Sequence, residues 1–254
     1  MATKKLRFAG IGCKHQGLAD ITRITSHPDV EPVAFCDIDQ RHFTDIDKKW
    51  PELPRYSDFR KLFEDLSGKI DAVSIGVPDH QHALITQAAL RAGLHVYCEK
   101  PLTKTVWEAR QIAGEAKRAG TVTRMGNQIH SERQYRVIKP VIQDLQAIGK
   151  VREVHSWISA AGHGRCGLLE PPKQPEKAPS EVDWEQWIGP APWREYGGDL
   201  VYHPRFWRDW QDFGTGSIGD NGCHLLDPIF TALDLSRCSG GPAAHRADAP
   251  RWPG

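Results

Sequence analysis

Along residues 6–127, short apolar runs rich in β-branched residues alternate with stretches where apolar positions recur every three or four residues. The runs at 6–11, 30–36, 72–77, 95–98 and 122–126 are predicted strands. The stretches at 18–26, 41–50, 58–66, 81–92 and 105–119 are predicted helices. Strands without a polar face, alternating with helices, predict a parallel sheet covered on both sides, so this part reads as a doubly wound α/β domain. Two helix ends are marked by a basic residue followed by glycine, in Arg91-Ala92-Gly93 and Arg118-Ala119-Gly120.

The pattern changes near Ser131. A helical stretch to Ala147 is interrupted by Lys139-Pro140, and residues 151–158 alternate as a strand does. Residues 162–181 are rich in Gly, Pro and charge and read as a long loop. From Gly219 to Leu235 the apolar spacing suits a buried helix despite Pro228. The last nineteen residues take 13 from Ala, Pro, Gly and Arg and show no periodicity, so a disordered tail is expected at 236–254. The expected division is a doubly wound α/β domain at 1–127, a second domain at 128–235, and the tail.

Composition removes several function classes. With 33 Lys+Arg against 32 Asp+Glu the chain is nearly neutral, which gives no general attraction to nucleic acid or to an acidic membrane. Hydrophobic residues at 39% suffice for a core. The six cysteines are scattered singly, without zinc spacing, and the histidines show no ligand pattern, so no metal is expected. Reduced thiols, no signal-like apolar segment and no run of about 20 apolar residues suggest a cytoplasmic, soluble protein.

The candidate chemistry begins where the first strand ends. Gly10-Ile11-Gly12-Cys13-Lys14-His15-Gln16-Gly17 places glycines at a strand-to-helix turn, where backbone can approach a pyrophosphate at a helix N-terminus. The spacing is GxGxxxxG rather than GxGxxG, so His15 and Gln16 themselves become candidate pyrophosphate contacts. Asp37, twenty residues after Gly17 at the end of the second strand, is placed to accept hydrogen bonds from ribose hydroxyls. Its charge favours NAD, whereas Arg41 lies near enough in sequence to accommodate the 2′-phosphate of NADP. After the fourth strand, Gly76-Val77-Pro78-Asp79-His80-Gln81-His82 brings backbone to the carboxyl edge of the sheet; here Asp79 or His80 can equally serve as a helix cap. After the fifth comes Glu99-Lys100-Pro101, an acid and a lysine at a strand end, the lysine suited to donate a proton or anchor a hydroxyl. Near the end of the chain, Asp220 and His224 stand four apart on one helix face, an arrangement open to both an oriented base and a core histidine.

Gly10-x-Gly12, Pro78 with His82, Ala92-Gly93-Leu94-His95-Val96, Glu99-Lys100-Pro101, Gly126-Asn127-Gln128, Tyr202-His203-Pro204-Arg205-Phe206-Trp207-Arg208 and the run 213–227 with Asp220, His224 and Asp227 resemble the Gfo/Idh/MocA oxidoreductases over residues 6 to about 235. The resemblance implies a Rossmann domain followed by an α/β domain with an open, mostly antiparallel sheet. It implies NAD or NADP, with NAD favoured, held by Gly10, Gly12, His15, Gln16, Gly17, Asp37, Val77, Pro78, His82, Glu99 and Lys100. The implied catalytic residues are Lys100, Asp220 and His224, acting on a sugar or cyclitol hydroxyl, with Gln128, Tyr202 and Arg208 meeting the substrate. Some relatives are instead NAD-dependent glycosidases that work by transient oxidation and elimination. Family members continue past the last helix, so an incomplete second domain is expected here, and with it an altered homo-oligomer or a non-catalytic dinucleotide-binding protein.

Overall fold

A computed structural model describes residues 5–158, 168, 170–199 and 201–235. They form two compact units, one taking in the described residues up to Asn127 with those from Ile158 to Cys223, the other Gln128–Trp157 with those from His224 onward.

The first unit is built on six strands, β1 (Leu6–Ile11), β2 (Val30–Cys36), β3 (Arg55–Tyr56), β4 (Ala72–Ile75), β5 (His95–Glu99) and β6 (Thr123–Gly126). Their order is β3-β2-β1-β4-β5-β6 and every pairing is parallel. The order reverses between β1 and β4, which opens a crevice at the carboxyl ends of these strands. Side chains alternate between two cores as strand geometry requires. Ala9, Ala34 and Cys36 enter one core with Val73, Ile75, Leu90 and Val96, while Phe8 and Phe35 enter the other with Ile21, Phe43 and Ile46.

The connecting helices are α1 (His15–Ile24), α2 (Thr44–Lys49), α3 (Phe59–Asp65), α4 (Asp79–Arg91) and α5 (Val106–Ala119). Helix α5 shows why the sequence marks its ends. Thr105 and Glu108 cap each other's backbone N–H groups reciprocally, and Gly120 closes the helix in the left-handed region at φ 64°.

The described residues of 178–213 belong to this unit because they pack on it through a tryptophan-rich core. Trp184 and Trp187, on α7 (Trp184–Ile188), stack with centroids 4.5 Å apart and are buried with Tyr196, Tyr202, Trp207 and Phe213. Backbone ties hold the segment to the sheet: Gln40 N–H donates to the Glu181 carbonyl at 2.9 Å and Asp183 N–H to that of Ile38 at 2.9 Å. Gln81 Nε2 donates to the carbonyls of Gln186 and Trp187.

The second unit contains α6 (Arg133–Lys139) and the C-terminal part of α8 (Gly216–Leu233). At Pro140 the helix widens into a π-helical turn, Leu145 N–H reaching the Pro140 carbonyl at 2.9 Å. Gln143 Nε2 donates to the Ala232 carbonyl at 2.9 Å.

The expected mostly antiparallel second sheet is not borne out. The sheet of the described residues is parallel throughout, and residues 151–158 form no strand there. Alternation alone does not make a strand, because backbone donors and acceptors need a paired neighbour, and no described element supplies one to this stretch. Helix α8 also differs from the buried helix expected, for Ile218, Leu226 and Phe230 are exposed. The expected tail at 236–254 and the residues His163 and Cys166 lie outside the described residues. Among the described residues no helix is long and apolar enough to cross a membrane.

Trp187 is the keystone of the aromatic core at 2% exposure. Trp187→Ala is expected to destabilise the chain by about 3–5 kcal/mol. An unchanged urea midpoint would show that residues 178–213 do not unfold with the sheet.

Candidate functional site

The glycine turn is shaped by backbone contact. Gly12 has φ +88°, and a Cβ there would collide with the Gly76 carbonyl; a Cβ on Gly17 would collide with that of Gly12. Glycine at all three positions therefore lets the start of α1 lie directly against the turn that follows β4. The longer spacing puts His15 and Gln16 in the first turn of α1, with Lys14 before it. His15 is exposed, and its pKa is lowered by burial of its ring and then by the cations His42, Arg205, Lys14 and Arg208. Gln16 Nε2 donates to Asp20 at 2.8 Å.

Asp37 closes the turn from the side. Its buried carboxylate accepts Cys13 N–H at 2.7 Å and Asp39 N–H at 3.0 Å, and lies 3.1 Å from His42 Nδ1. Burial opposes a charged His42, but Asp37 and then Asp39 outweigh it and raise its pKa. Asp39 is the neighbouring hub, accepting from Arg41 Nη2 at 2.7 Å and facing His203 Nε2 at 2.8 Å. Burial works against its charge, yet His203 and Arg41 hold the carboxyl well below the usual range. Arg41 also pairs with Asp199 at 3.2 Å. Among the described residues Asp39, His42 and His203 form the single group with the donor types and closeness of a metal site, and the Arg41 guanidinium already meets the carboxylate there.

These features suit a dinucleotide: a backbone cradle that a Cβ would fill, cations around its mouth, and an acid at the end of β2.

The second group of residues gathers at the ends of β4 and β5. Lys100, on a cis peptide to Pro101, directs Nζ to the Asp220 carboxylate at 2.6 Å and to the Asp220 carbonyl at 2.9 Å. The Arg208 Nε approaches the other Asp220 oxygen at 3.4 Å, its guanidinium lying over Trp207 at 4.1 Å. Glu99 is buried beside Asp20, whose pKa burial and then the Glu99 charge push up to about 7. Thr215 donates to the buried Asp79 at 2.7 Å, and Asn127 Nδ2 donates to the Cys223 carbonyl at 3.0 Å.

In the second unit, Asp227 Oδ2 lies 2.6 Å from His130 Nδ1, and Tyr135, whose pKa burial and Asp227 raise, joins the pair. His224 and Gln128 also belong to this unit.

Two of the expected site residues, Tyr202 and His82, are buried. Tyr202, expected to meet substrate, is 1% exposed among Trp184, Trp210 and Phe213; its ring is core. His82, expected to touch the cofactor, is also 1% exposed, with both ring nitrogens against backbone carbonyls. Sequence reading missed Asp39, His42, His203, Asp20 and Thr215. The Asp37-x-Asp39 spacing is the one available signal; His203 lies 164 residues from its partner.

Residues 6–127 match the oxidoreductase family Gfo/Idh/MocA, NAD-binding Rossmann fold, and residues 168–251 match the C-terminal alpha/beta domain of the same family. The second match runs past Leu235, where the resemblance read from the sequence stops. Inositol 2-dehydrogenase of Salmonella typhimurium is 30% identical over 182 residues, 69% of this chain and 51% of that protein. D-glucoside 3-dehydrogenase of Escherichia coli is 32% identical over 125 residues, 48% of this chain and 34% of that protein. The structure of GenD2 from gentamicin A biosynthesis, in complex with NAD, superposes with a TM-score of 0.55 at 24% identity, covering 60% of this chain and 43% of that one. The chain thus spans about half or less of the length of these relatives. Cradle, strand order and the two matched regions together place the chain in the Gfo/Idh/MocA family of oxidoreductases, with that family's NAD-binding Rossmann domain at its N-terminal end.

Proposed function

We propose that the protein is an NAD-dependent dehydrogenase acting on a hydroxyl of a sugar or cyclitol. One observation carries the reading: Lys100 and Asp220, 120 residues apart, meet at 2.6 Å at the carboxyl end of the sheet, where doubly wound folds bind ligands. The names of the inositol and glucoside dehydrogenases among its relatives support a polyhydroxy substrate.

In this reading Gly10, Gly12, Gly17, His15 and Gln16 hold the pyrophosphate, Asp37 the adenosine ribose, and Val77, Pro78, Glu99 and Lys100 the nicotinamide end. Bound there, nicotinamide supplies the hydride acceptor that no side chain provides. Lys100 donates a hydrogen bond to the substrate hydroxyl oxygen. Asp220 aims the Lys100 ammonium, and Arg208 steadies the far side of that carboxylate. His224, four residues after Asp220 on α8, is carried over from the family pattern as the base that takes the hydroxyl proton. Cofactor binding is assigned to residues 1–127 and substrate chemistry to 128–235, with Arg208, Asp220 and Gln128 on the substrate side.

The preference for NAD over NADP rests on charge. The buried Asp37 carboxylate repels a 2′-phosphate, and Arg41, the nearby cation able to offset it, is committed to Asp39 and Asp199.

Lys100→Ala is expected to lower kcat/KM on a sugar or cyclitol by about 100-fold or more, the usual scale for a lost donor to an oxygen that gains charge in the transition state; turnover at the parental rate would remove Lys100 from the mechanism. Saturating NAD, at about a hundredfold excess over its Kd, is expected to stabilise the chain against heat by about 2.7 kcal/mol, and NADP by clearly less. Asp37→Asn is expected to narrow that difference by about 1.4 kcal/mol, a tenfold shift in relative affinity. An unchanged preference would take Asp37 out of the cofactor site.

A further inference from the structure

Two histidines stand two positions apart at the start of α4, both buried, in opposite surroundings. His80 places Nε2 2.8 Å from the Trp187 carbonyl, and its Nδ1 has no hydrogen-bond partner among the described residues. One donated bond suits a neutral ring, and burial between Trp187 and Phe213 pushes the pKa down to about 4. His82 is different. Its Nδ1 lies 2.7 Å from the Pro101 carbonyl oxygen and its Nε2 2.8 Å from that of Val77.

A carbonyl oxygen can only accept, and a neutral imidazole carries one N–H. Two such contacts at these lengths therefore need a proton on each nitrogen. A neutral ring would turn a lone pair toward an oxygen lone pair at hydrogen-bond distance in a buried site.

We propose that His82 is a positioning residue, an imidazolium that clips the Val77–Pro78 turn after β4 to the Lys100–Pro101 turn after β5 and so fixes where the Lys100 side chain starts. The role rests on the reading of Lys100 as the hydroxyl anchor. The clip explains why a polar ring is buried behind the site rather than exposed in it. Asp79 is the counter-charge beside the ring. The groups facing the ring are the Cys98 thiol from β5, the Asp79 carboxylate and His80 from α4, and the two turn carbonyls. Asp79 is itself fixed by Thr215. Burial disfavours the charged ring, but Cys98, Asp79 and the Pro101 carbonyl outweigh it and raise the pKa.

The direct test is the ring 15N spectrum of the full chain labelled on histidine, recorded from pH 6 to 9. His82 is expected to show two protonated nitrogens that do not titrate, identified by their loss in His82→Gln. Should that variant not fold, the other eleven histidines are replaced by Gln one at a time, and the His82 signal is the one that none of these variants removes. A single neutral tautomer at His82 would overturn the clip. For its role, His82→Phe is expected to lower kcat by about tenfold or more while the Kd for NAD changes by less than about threefold. Equal losses in both would make His82 a cofactor contact and overturn the positioning role. If Lys100→Ala leaves turnover intact, the dehydrogenase reading fails, while the doubly protonated ring is still observed.

Discussion

The buried ion pair between Lys100 and Asp220 is the constraint around which the site is arranged. Its side chains are 13% and 8% exposed, so neither charge could stay there alone; removing one partner of such a pair typically costs about 3–5 kcal/mol. The carboxyl end of β5 and the first turns of α8 must therefore keep their relation for either residue to be tolerated. The neighbouring contacts serve the same end. Thr215 on Asp79 and Asn127 on the Cys223 carbonyl tie α8 and the residue before it to the ends of the sheet, and Arg208 holds the second Asp220 oxygen from the preceding segment. Rigidity at this point comes from paired polar groups rather than from apolar burial.

The cofactor end follows a different rule, set by backbone. Contact among Gly12, Gly17 and Gly76 brings α1 close to the sheet, and the Asp37 carboxylate then bonds the turn directly. Asp39, one strand-face repeat further on, collects Arg41, His42 and His203 into one network that reaches from the end of β2 to the tryptophan-rich segment. Charges around Asp39 thus largely neutralise one another, and the Asp37 side chain stays against the glycine turn.

Much of the first unit was legible in the sequence because its strands are buried on both faces. Residues 6–11 and 30–36 have in the structure the bounds that the pattern predicts, and Gly120 closes α5 as capping chemistry predicts. Strand β3, at two residues, is too short to show any period. Residues 151–158 show the opposite failure, a period without a partner. At the candidate site, local motifs mark Gly12, Asp37 and Lys100, since strand ends and turns announce themselves nearby in sequence. The Asp39–His203 contact and the burial of Tyr202 and His82 depend on segments far apart in the chain, and a histidine or tyrosine has the same appearance in sequence whether it faces a ligand or a core.

The stacked indoles of Trp184 and Trp187 have an optical consequence. Rings 4.5 Å apart and 13° from parallel couple their electronic transitions, which concentrates a near-ultraviolet circular dichroism signal in one small region of the fold. Local opening of that region, at less than the free energy of global unfolding, would separate the rings while the parallel sheet stayed intact. The molecule therefore carries its own spectroscopic reporter for the segment that presents Arg208, readable without any label.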